Sequence, residues 1–287
     1  MIDITKQYSD FCEELKIPFQ MEESILSYDD STLFCPAGMQ KYKSLFKNDN
    51  IRRKTIANVQ PCLRLNDLDN LGDGEHLAYF NMIGLFSFRD KDIEWGIDFC
   101  WKFIERLGII SIVNKVTVHP QKNDWKKYHE KFLSKNIKVN FSTDENCKWS
   151  DGEIGGYCTE FYINNIEILN IVNPLENCLD MGAGLERIDQ IVNNKKPKNK
   201  LEILEETIIK IIDSGIVPSN VKHGYVLRRL LRLFYKHGGQ INHPFFIQEK
   251  ERQIKLLDKY NKLKNKYKDK TKEWWFDTHG IDLKNVW

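Results

Sequence analysis

The two periodicities of apolar residues are segregated along the chain, and that limits the fold more than any other feature. Runs with β-branched or aromatic strand character stand mostly before residue 180. They are PCLRL (61–65), HLAYFNMIGLFSF (76–88), IISIVNKVTVHP (109–120) and EFYINNIEILNIVN (160–173), the last broken by an Asn-Asn turn. Helical spacing occurs at 8–15 and in EWGIDFCWKFIERLG (94–108), which stops at Gly108. After 180 it dominates: GLERIDQIVNN (184–194), LEILEETIIKIIDSG (201–215) and GYVLRRLLRLFYKHGG (224–239). Strands followed by helices, rather than strands alternating with them, predict an α+β body with a helical appendage. NNKKPKNK (193–200) is the best linker candidate. The expected division is a body over 1–194, a linker over 195–200 and a helical region over 201–287 with a Lys-rich C-terminal helix.

Charge adds a second asymmetry. The net charge of the 287 residues is only +2. Residues 222–272 nevertheless hold 15 Lys/Arg against 4 Asp/Glu. Such a stretch suits a polyanion partner, and it also suits a solvated Lys-rich helix. The seven cysteines are odd in number and none is spaced C-x-x-C, so a disulfide framework and a zinc knuckle are both disfavoured. No apolar run approaches membrane-spanning length, and the N-terminus lacks the pattern of a signal or transit peptide. A reduced, cytoplasmic setting with no membrane contact is expected.

Four stretches carry candidate chemistry. In 60–90 a charged residue, Arg64, precedes an aromatic-rich strand across a loop dense in Asp, Asn and Gly. Flat rings that hold a base beside a guanidinium that meets phosphate suit a nucleotide; a core hairpin with Arg64 in a structural pair also satisfies the pattern. In CLDMGAGLERI (178–188), Gly182 and Gly184 let backbone approach a ligand closely. Arg187 falls in the first turn of the next helix, where an anion is favoured, and Asp180 can accept an ammonium. Gly-x-Gly alone is common, and Glu186 with Arg187 also reads as a surface pair. In WSDGEIGGYCTEFYI (149–163), Cys158 reads as a nucleophile or a small buried thiol, and Glu160 as facing a ligand or metal. In 215–239, Arg228, Arg229, Arg232 and Lys236 recur at spacings of three and four, which predicts one basic helical face for phosphate or for solvent.

Together these pieces resemble the alanyl-tRNA synthetases, class II enzymes that activate alanine with ATP and esterify it to tRNA. DDSTLFCPAGMQKYKSLF is similar to the family's Asp-Pro-Thr-Leu-Leu-Phe…Ala-Gly-Met segment. CLRLNDLDNLG with HLAYFNMIGLFSFRD resembles its motif 2, and LDMGAGLERI its motif 3. GGYCTEFYI, EILNIVN and PSNVKHGYVLRRLLR resemble three further family segments, in family order, over roughly residues 8–240. The resemblance implies an antiparallel sheet flanked by helices. It implies that Arg64 holds the α-phosphate of ATP and Arg187 the γ-phosphate, with His76, Phe80 and Met82 completing the nucleotide site. Asp180 would bind the α-amino group, with Met39, Trp149, Asn170 and Gly182 shaping a pocket for a small side chain. Asn220, Arg228, Arg229 and Arg232 would meet the tRNA acceptor stem. Mg²⁺ would accompany ATP, with Glu160 one ligand, and no zinc is expected.

Departures from the family matter too. The Ala-Gly-Gly-Lys-His insert of the motif 2 loop is missing, so its lysine is gone. Asn81 replaces a Glu, Pro36 replaces an Asn, and the segment between GLERI and PSN is short. Residues for an editing domain and its zinc site are not found before Trp287, so a minimal alanine-tRNA ligase without editing is expected. Two other functions fit the shortened loop: an activating enzyme that passes the acyl group to a carrier-protein thiol or small molecule, and a non-catalytic sensor of amino acid or tRNA. The choice among Ala, Gly and Ser, and the oligomeric state, stay open at this point.

Overall fold

A computed structural model describes all residues except Asp49, Asp67, 134–138, Asp151, Gly280, Asp282 and 284–287, together with all side chains in them but that of Phe276. The last residues of the expected helical region, 284–287, thus lie outside the described part. The described residues divide into two compact units, Met1–Pro197 and Lys198–Trp287.

The first unit contains nine strands: β1 (Phe19–Met21), β2 (Lys54–Leu63), β3 (Tyr79–Phe88), β4 (Lys115–Val118), β5 (Asn140–Thr143), β6 (Lys148–Ser150), β7 (Gly155–Ile163), β8 (Ile166–Asn173) and β9 (Leu179–Gly184). Its helices are α1 (Ile4–Glu14), α2 (Lys43–Lys47), α3 (Ile93–Arg106), α4 (Lys126–Glu130) and α5 (Leu185–Val192). The sheet order is β1-β2-β3-β9-β8-β7-β4-β5, with β6 on β7, and every pair from β2 to β4 is antiparallel. This is the α+β arrangement expected from the segregated periodicities.

Alternation along the strands divides the sheet into two faces. Ala57, Val59, Ile83, Leu85, Leu169, Ile171, Met181 and Ala183 join one buried cluster with Tyr8 and Phe11 of α1 and Phe99, Trp101 and Phe103 of α3. Asp3 and Asp92 cap these two helices by accepting backbone N–H bonds from Lys6 and Trp95. The opposite face carries polar and glycine positions, among them Gly84, Gly182, Asn170 and Glu160. The Asn-Asn turn is as expected: Asn164 and Asn165 both have positive φ (51° and 67°), which closes β7 and β8 as a tight hairpin.

One strand is shorter than its sequence suggests. Residues 109–120 read as a single strand, yet only Lys115–Val118 pairs. The chain leaves α3 through Gly108 at φ 73°, and Ile110–Ile112 form a 3₁₀ turn before the sheet is reached. Ile109 and Val113 on either side of the turn are buried and Ile110 packs in part, while Ile112 is exposed; none joins a ladder.

The second unit contains α6 (Lys200–Asp213), α7 (Lys222–Lys236), α8 (Pro244–Leu263) and α9 (Lys272–His279). Asn199 and Glu202 form a reciprocal capping box on α6. The single basic face expected on α7 is divided instead. Arg229 and Lys236 are exposed, but Arg228 is only 6% exposed. Its Nε lies 2.9 Å from the Glu249 carboxylate of α8, and Arg232 approaches the same carboxylate at 3.5 Å. Gln253 also donates to Glu249, and Arg228 donates to Asn220. Helical spacing recorded that these residues share an α7 face; it held no information about the carboxylate 21 residues later that covers it.

Two stability effects follow. Removing one partner of a buried ion pair strands the other charge, so Glu249→Ala should cost the second unit about 3–5 kcal/mol, seen as a lower denaturant midpoint. Gly156 is built against backbone: an added Cβ would overlap the carbonyl of Asn173. Gly156→Ala should therefore cost the first unit about 1–3 kcal/mol by overpacking, seen as a lower melting temperature.

Candidate active site

Antiparallel register aligns residues of five strands into one row across the polar face. Gly84 of β3 opposes Gly182 of β9, Gly182 opposes Asn170 of β8, Asn170 opposes Glu160 of β7, and Glu160 opposes Thr117 of β4. The next row runs Phe86, Asp180, Val172, Cys158. Directly opposed residues point to the same side of a sheet, so Asp180, Gly182, Asn170 and Glu160 share one face. A bulge between Phe161 and Tyr162 shifts the register by one, so that Glu167 opposes Tyr162 and joins Asn170 on that face.

These residues border one cavity of about 430 Å³. Its wall includes Met39, Arg64, His76, Phe80, Met82, Trp149, Glu160, Asn170, Asp180, Gly182 and Arg187. The candidate nucleotide and amino-acid residues, distant in sequence, thus meet around a single space within the first unit. Asn220, Arg228, Arg229 and Arg232 belong to the second unit and not to this cavity.

The two guanidiniums are positioned by carbonyl oxygens. Arg64 follows β2 directly; its Nε donates to Pro36 O at 2.8 Å and its guanidinium lies 5.1 Å from the Phe80 ring centre. Any residue at position 36 offers that carbonyl, so the departure to Pro36 preserves the contact. Arg187, in the first turn of α5, donates through Nη1 to Glu167 O at 2.5 Å and through Nη2 to Glu75 O at 3.2 Å. His76 sits in the loop before β3, with Nδ1 at 2.5 Å from Asp73 Oδ2. Asn81 donates its backbone N–H and its side-chain amide to Glu186, which ties β3 to the start of α5. The substituted Asn81 therefore secures the helix end that carries Arg187.

The floor is small by construction. A Cβ on Gly182 would meet Asn170 Oδ1 and Met82 Sδ at 3.6 Å, ordinary contact distance that would take space from the cavity. Asn170 Nδ2 donates to Glu167 Oε1 at 2.8 Å, and Glu160 Oε2 accepts from Thr117 at 3.0 Å and Tyr162 at 2.7 Å. Cys158 is buried, and its hydrogen bond with Cys147, then burial, push its thiol above the ordinary range, which disfavours a nucleophilic role.

Glu167 was not singled out by sequence, because only the β7–β8 bulge turns it toward the site. Burial, then the charge of Glu160, raise its pKa above the ordinary 4.5, against the hydrogen bond of Asn170 and the charges of Arg187 and Arg64. A raised carboxyl binds its proton more tightly in the folded state, so stability falls as pH rises from about 4.5 through the folded value. Glu167→Gln keeps an acceptor for Asn170 and should flatten that fall, raising the melting temperature near neutral pH, as thermal melts across mildly acidic to neutral buffers would record.

Comparison with known proteins gives a consistent result. Residues 3–210 match the family model described as tRNA synthetases class II (A). The chain is 32% identical over 291 residues to an alanine–tRNA ligase of Buchnera aphidicola subsp. Baizongia pistaciae, covering 74% of this chain and 33% of that protein. It is 27% identical over 315 residues to an alanine–tRNA ligase of Francisella tularensis subsp. novicida, covering 83% and 36%. The chain thus spans about a third of the length of the curated relatives it matches. Apo Staphylococcus aureus histidyl-tRNA synthetase superposes with a TM-score of 0.45 at 8% identity, covering 73% of this chain and 74% of that one, a likeness too weak to build on. The match over the first unit and into α6 makes this chain a member of the class II (A) tRNA synthetases.

Proposed function

We propose that the chain activates a small amino acid, alanine first among them, as its adenylate and passes the acyl group to the 3′ end of tRNA. The observation that carries this reading is the single cavity that holds a carboxylate, Asp180, beside a glycine floor at Gly182, together with two guanidiniums, Arg64 and Arg187. Asp180 accepts the substrate's ammonium. Gly182, Asn170, Met39 and Trp149 would border the substrate's side chain, and the glycine floor favours a small one. Phe80 and Met82 meet the adenine, His76 borders the phosphates, Arg64 meets the α-phosphate and Arg187 the γ-phosphate.

The chemistry then requires positioning more than proton transfer. The amino acid's carboxylate oxygen attacks the α-phosphorus, and the bond to pyrophosphate breaks on the opposite side. The attacking group is already ionised, so no general base is needed. Guanidiniums held in place before the reaction stabilise the charge that develops on the phosphoryl oxygens. In the second step a ribose hydroxyl attacks the acyl carbon, the bond from that carbon to the phosphate oxygen breaks, and AMP leaves while the hydroxyl's proton passes to its phosphate or to solvent.

Class II synthetases in general use Mg²⁺ with ATP. The residues present fit such an ion: Glu160 and Glu167 both border the cavity and repel each other, which a cation relieves. They are the groups that would hold it. The ion would neutralise phosphate charge while keeping most of its water.

A second acceptor is favoured by one observation. Asn220, Arg228 and Arg232 are engaged with one another or with Glu249, not presented as a free basic face. Transfer to a carrier-protein thiol or small molecule is the corresponding reading.

ATP–pyrophosphate exchange with alanine, glycine and serine, each with and without total tRNA, tests the proposal. Alanine should support exchange above background, and charging should appear when tRNA is added. Asp180→Ala should abolish exchange while nucleotide affinity, followed by a fluorescent ATP analogue, changes little. Collapse of nucleotide affinity would instead refute the role of Asp180, and exchange without charging would select the second acceptor.

A further inference from the structure

Behind one wall of the cavity the fold assembles a donor set that the sequence conceals. Cys147 and Cys158 are 11 residues apart and show no metal-binding spacing. The pairing of β6 with β7, which sets Lys148 opposite Tyr157, carries Cys147 to a place beside Cys158, with Cys158 N donating to Cys147 O at 3.0 Å. Both thiols are free and buried, at 0% and 3% exposure. Two residues after Cys158, Glu160 points to the same side of β7. One donor atom from each of Cys147, Cys158 and Glu160 falls within 4.8 Å of the other two.

We propose that Cys147, Cys158 and Glu160 form a binding site for a thiophilic divalent metal ion, zinc foremost, with a fourth position open toward the cavity. A tetrahedral zinc site with thiolate and carboxylate ligands needs donors roughly 3.8 Å apart, so closure asks for about an ångström of side-chain movement. Two sulfurs and one oxygen select a borderline or soft ion over Mg²⁺. Three protein ligands with one open position is the pattern of zinc sites that accept water or a substrate group.

The surroundings suit this role. Thr117 Oγ1 accepts from Cys147 Sγ at 3.0 Å and donates to Glu160 Oε2 at 3.0 Å, while Tyr162 OH donates to the same oxygen at 2.7 Å. Hydroxyls that orient a ligating carboxylate are what a second layer of contacts supplies at metal sites. Trp149 and Val172 pack on the two cysteines and also border the cavity, as does Glu160. The cavity is thus the route of entry. On binding, each thiol loses its proton to solvent and Glu160 enters as carboxylate, so a Zn²⁺ ion is held as a complex of net charge −1 with two protons released.

Cobalt titration of the full chain, kept reduced with a phosphine, reads the site without any assay of activity. One equivalent of Co²⁺ should produce a thiolate-to-cobalt charge-transfer band and intense tetrahedral d–d bands, and Zn²⁺ should remove both. Cys147→Ala and Cys158→Ala should each abolish the tetrahedral spectrum. Glu160→Gln, which leaves the thiols and the packing in place, should weaken cobalt binding at least about tenfold. Zinc should raise the melting temperature of the wild-type chain and shift that of Glu160→Gln much less. Cys35 and Cys62, whose thiols also hydrogen-bond each other, supply the control: Cys35→Ala and Cys62→Ala should leave the spectrum unchanged. No charge-transfer band in the wild-type chain would overturn the proposal. So would a band that survives Cys147→Ala and Cys158→Ala together, or one lost with Cys35 and Cys62.

Discussion

Antiparallel pairing from β2 to β4 is the constraint on which the site depends. Opposed residues in such a sheet share a face, and a shift of one residue sends every side chain to the other. The row Gly84, Gly182, Asn170, Glu160, Thr117 exists only in the observed register. The same register sends Ile83, Leu85, Ile171 and Met181 into the cluster under α1 and α3. Burial of that cluster therefore fixes the geometry of the polar face: the hydrophobic effect cannot be satisfied in a slipped sheet. Stability and site geometry are two consequences of one alternation.

The charges of the site are arranged on top of this frame. Arg64 and Arg187 are oriented by carbonyl oxygens of Pro36, Glu167 and Glu75. A neutral acceptor fixes the direction of a guanidinium without cancelling its charge, so the field remains available to an incoming phosphate. Carboxylates line the same space: Asp180 on β9, Glu160 on β7 and Glu167 on β8, where burial and then Glu160 raise the pKa of Glu167 against the charges of Arg187 and Arg64. A cavity with cationic and anionic walls favours a zwitterion joined to a polyphosphate over a purely anionic or apolar ligand.

Much of this was legible in the sequence. Short-range signals carried it: Gly108, the Asn-Asn turn and the 3.6 period of α3 and α6 depend on neighbours a few residues away. Arg64, Asp180 and Arg187 stood out in the sequence as a charge beside an aromatic strand, an acid before Gly-x-Gly and a base in a helix's first turn, and all three border the one cavity. What was not legible depends on pairing across long separations. Glu167 needs the bulge between Phe161 and Tyr162; the Cys147–Cys158 contact needs β6 to fold onto β7; Arg228 needs Glu249. Ile109, Ile110 and Ile112 had strand character but pair with no strand. Intrinsic preference is weaker than the requirement that a ladder have two sides.

The second unit shows how charge counting misleads when partners are ignored. Its 15 Lys/Arg over 222–272 suggest one electropositive surface. Arg228 and Arg232 are instead held by Glu249 within the α7–α8 pair, where their attraction offsets the desolvation of three charges. Solvent-facing cations include Lys222, Arg229 and Lys236 on α7 and Arg252, Lys255, Lys259 and Lys262 on α8. Most of these are flexible ammonium groups, which act as point charges and lack the fork geometry that Arg229 and Arg252 offer. Attraction of a polyanion to such a surface is long-ranged, falls steeply with salt and carries little sequence information. The groups with fixed directions, Asn220 and the arginines that Glu249 orients, are turned to partners within this unit instead.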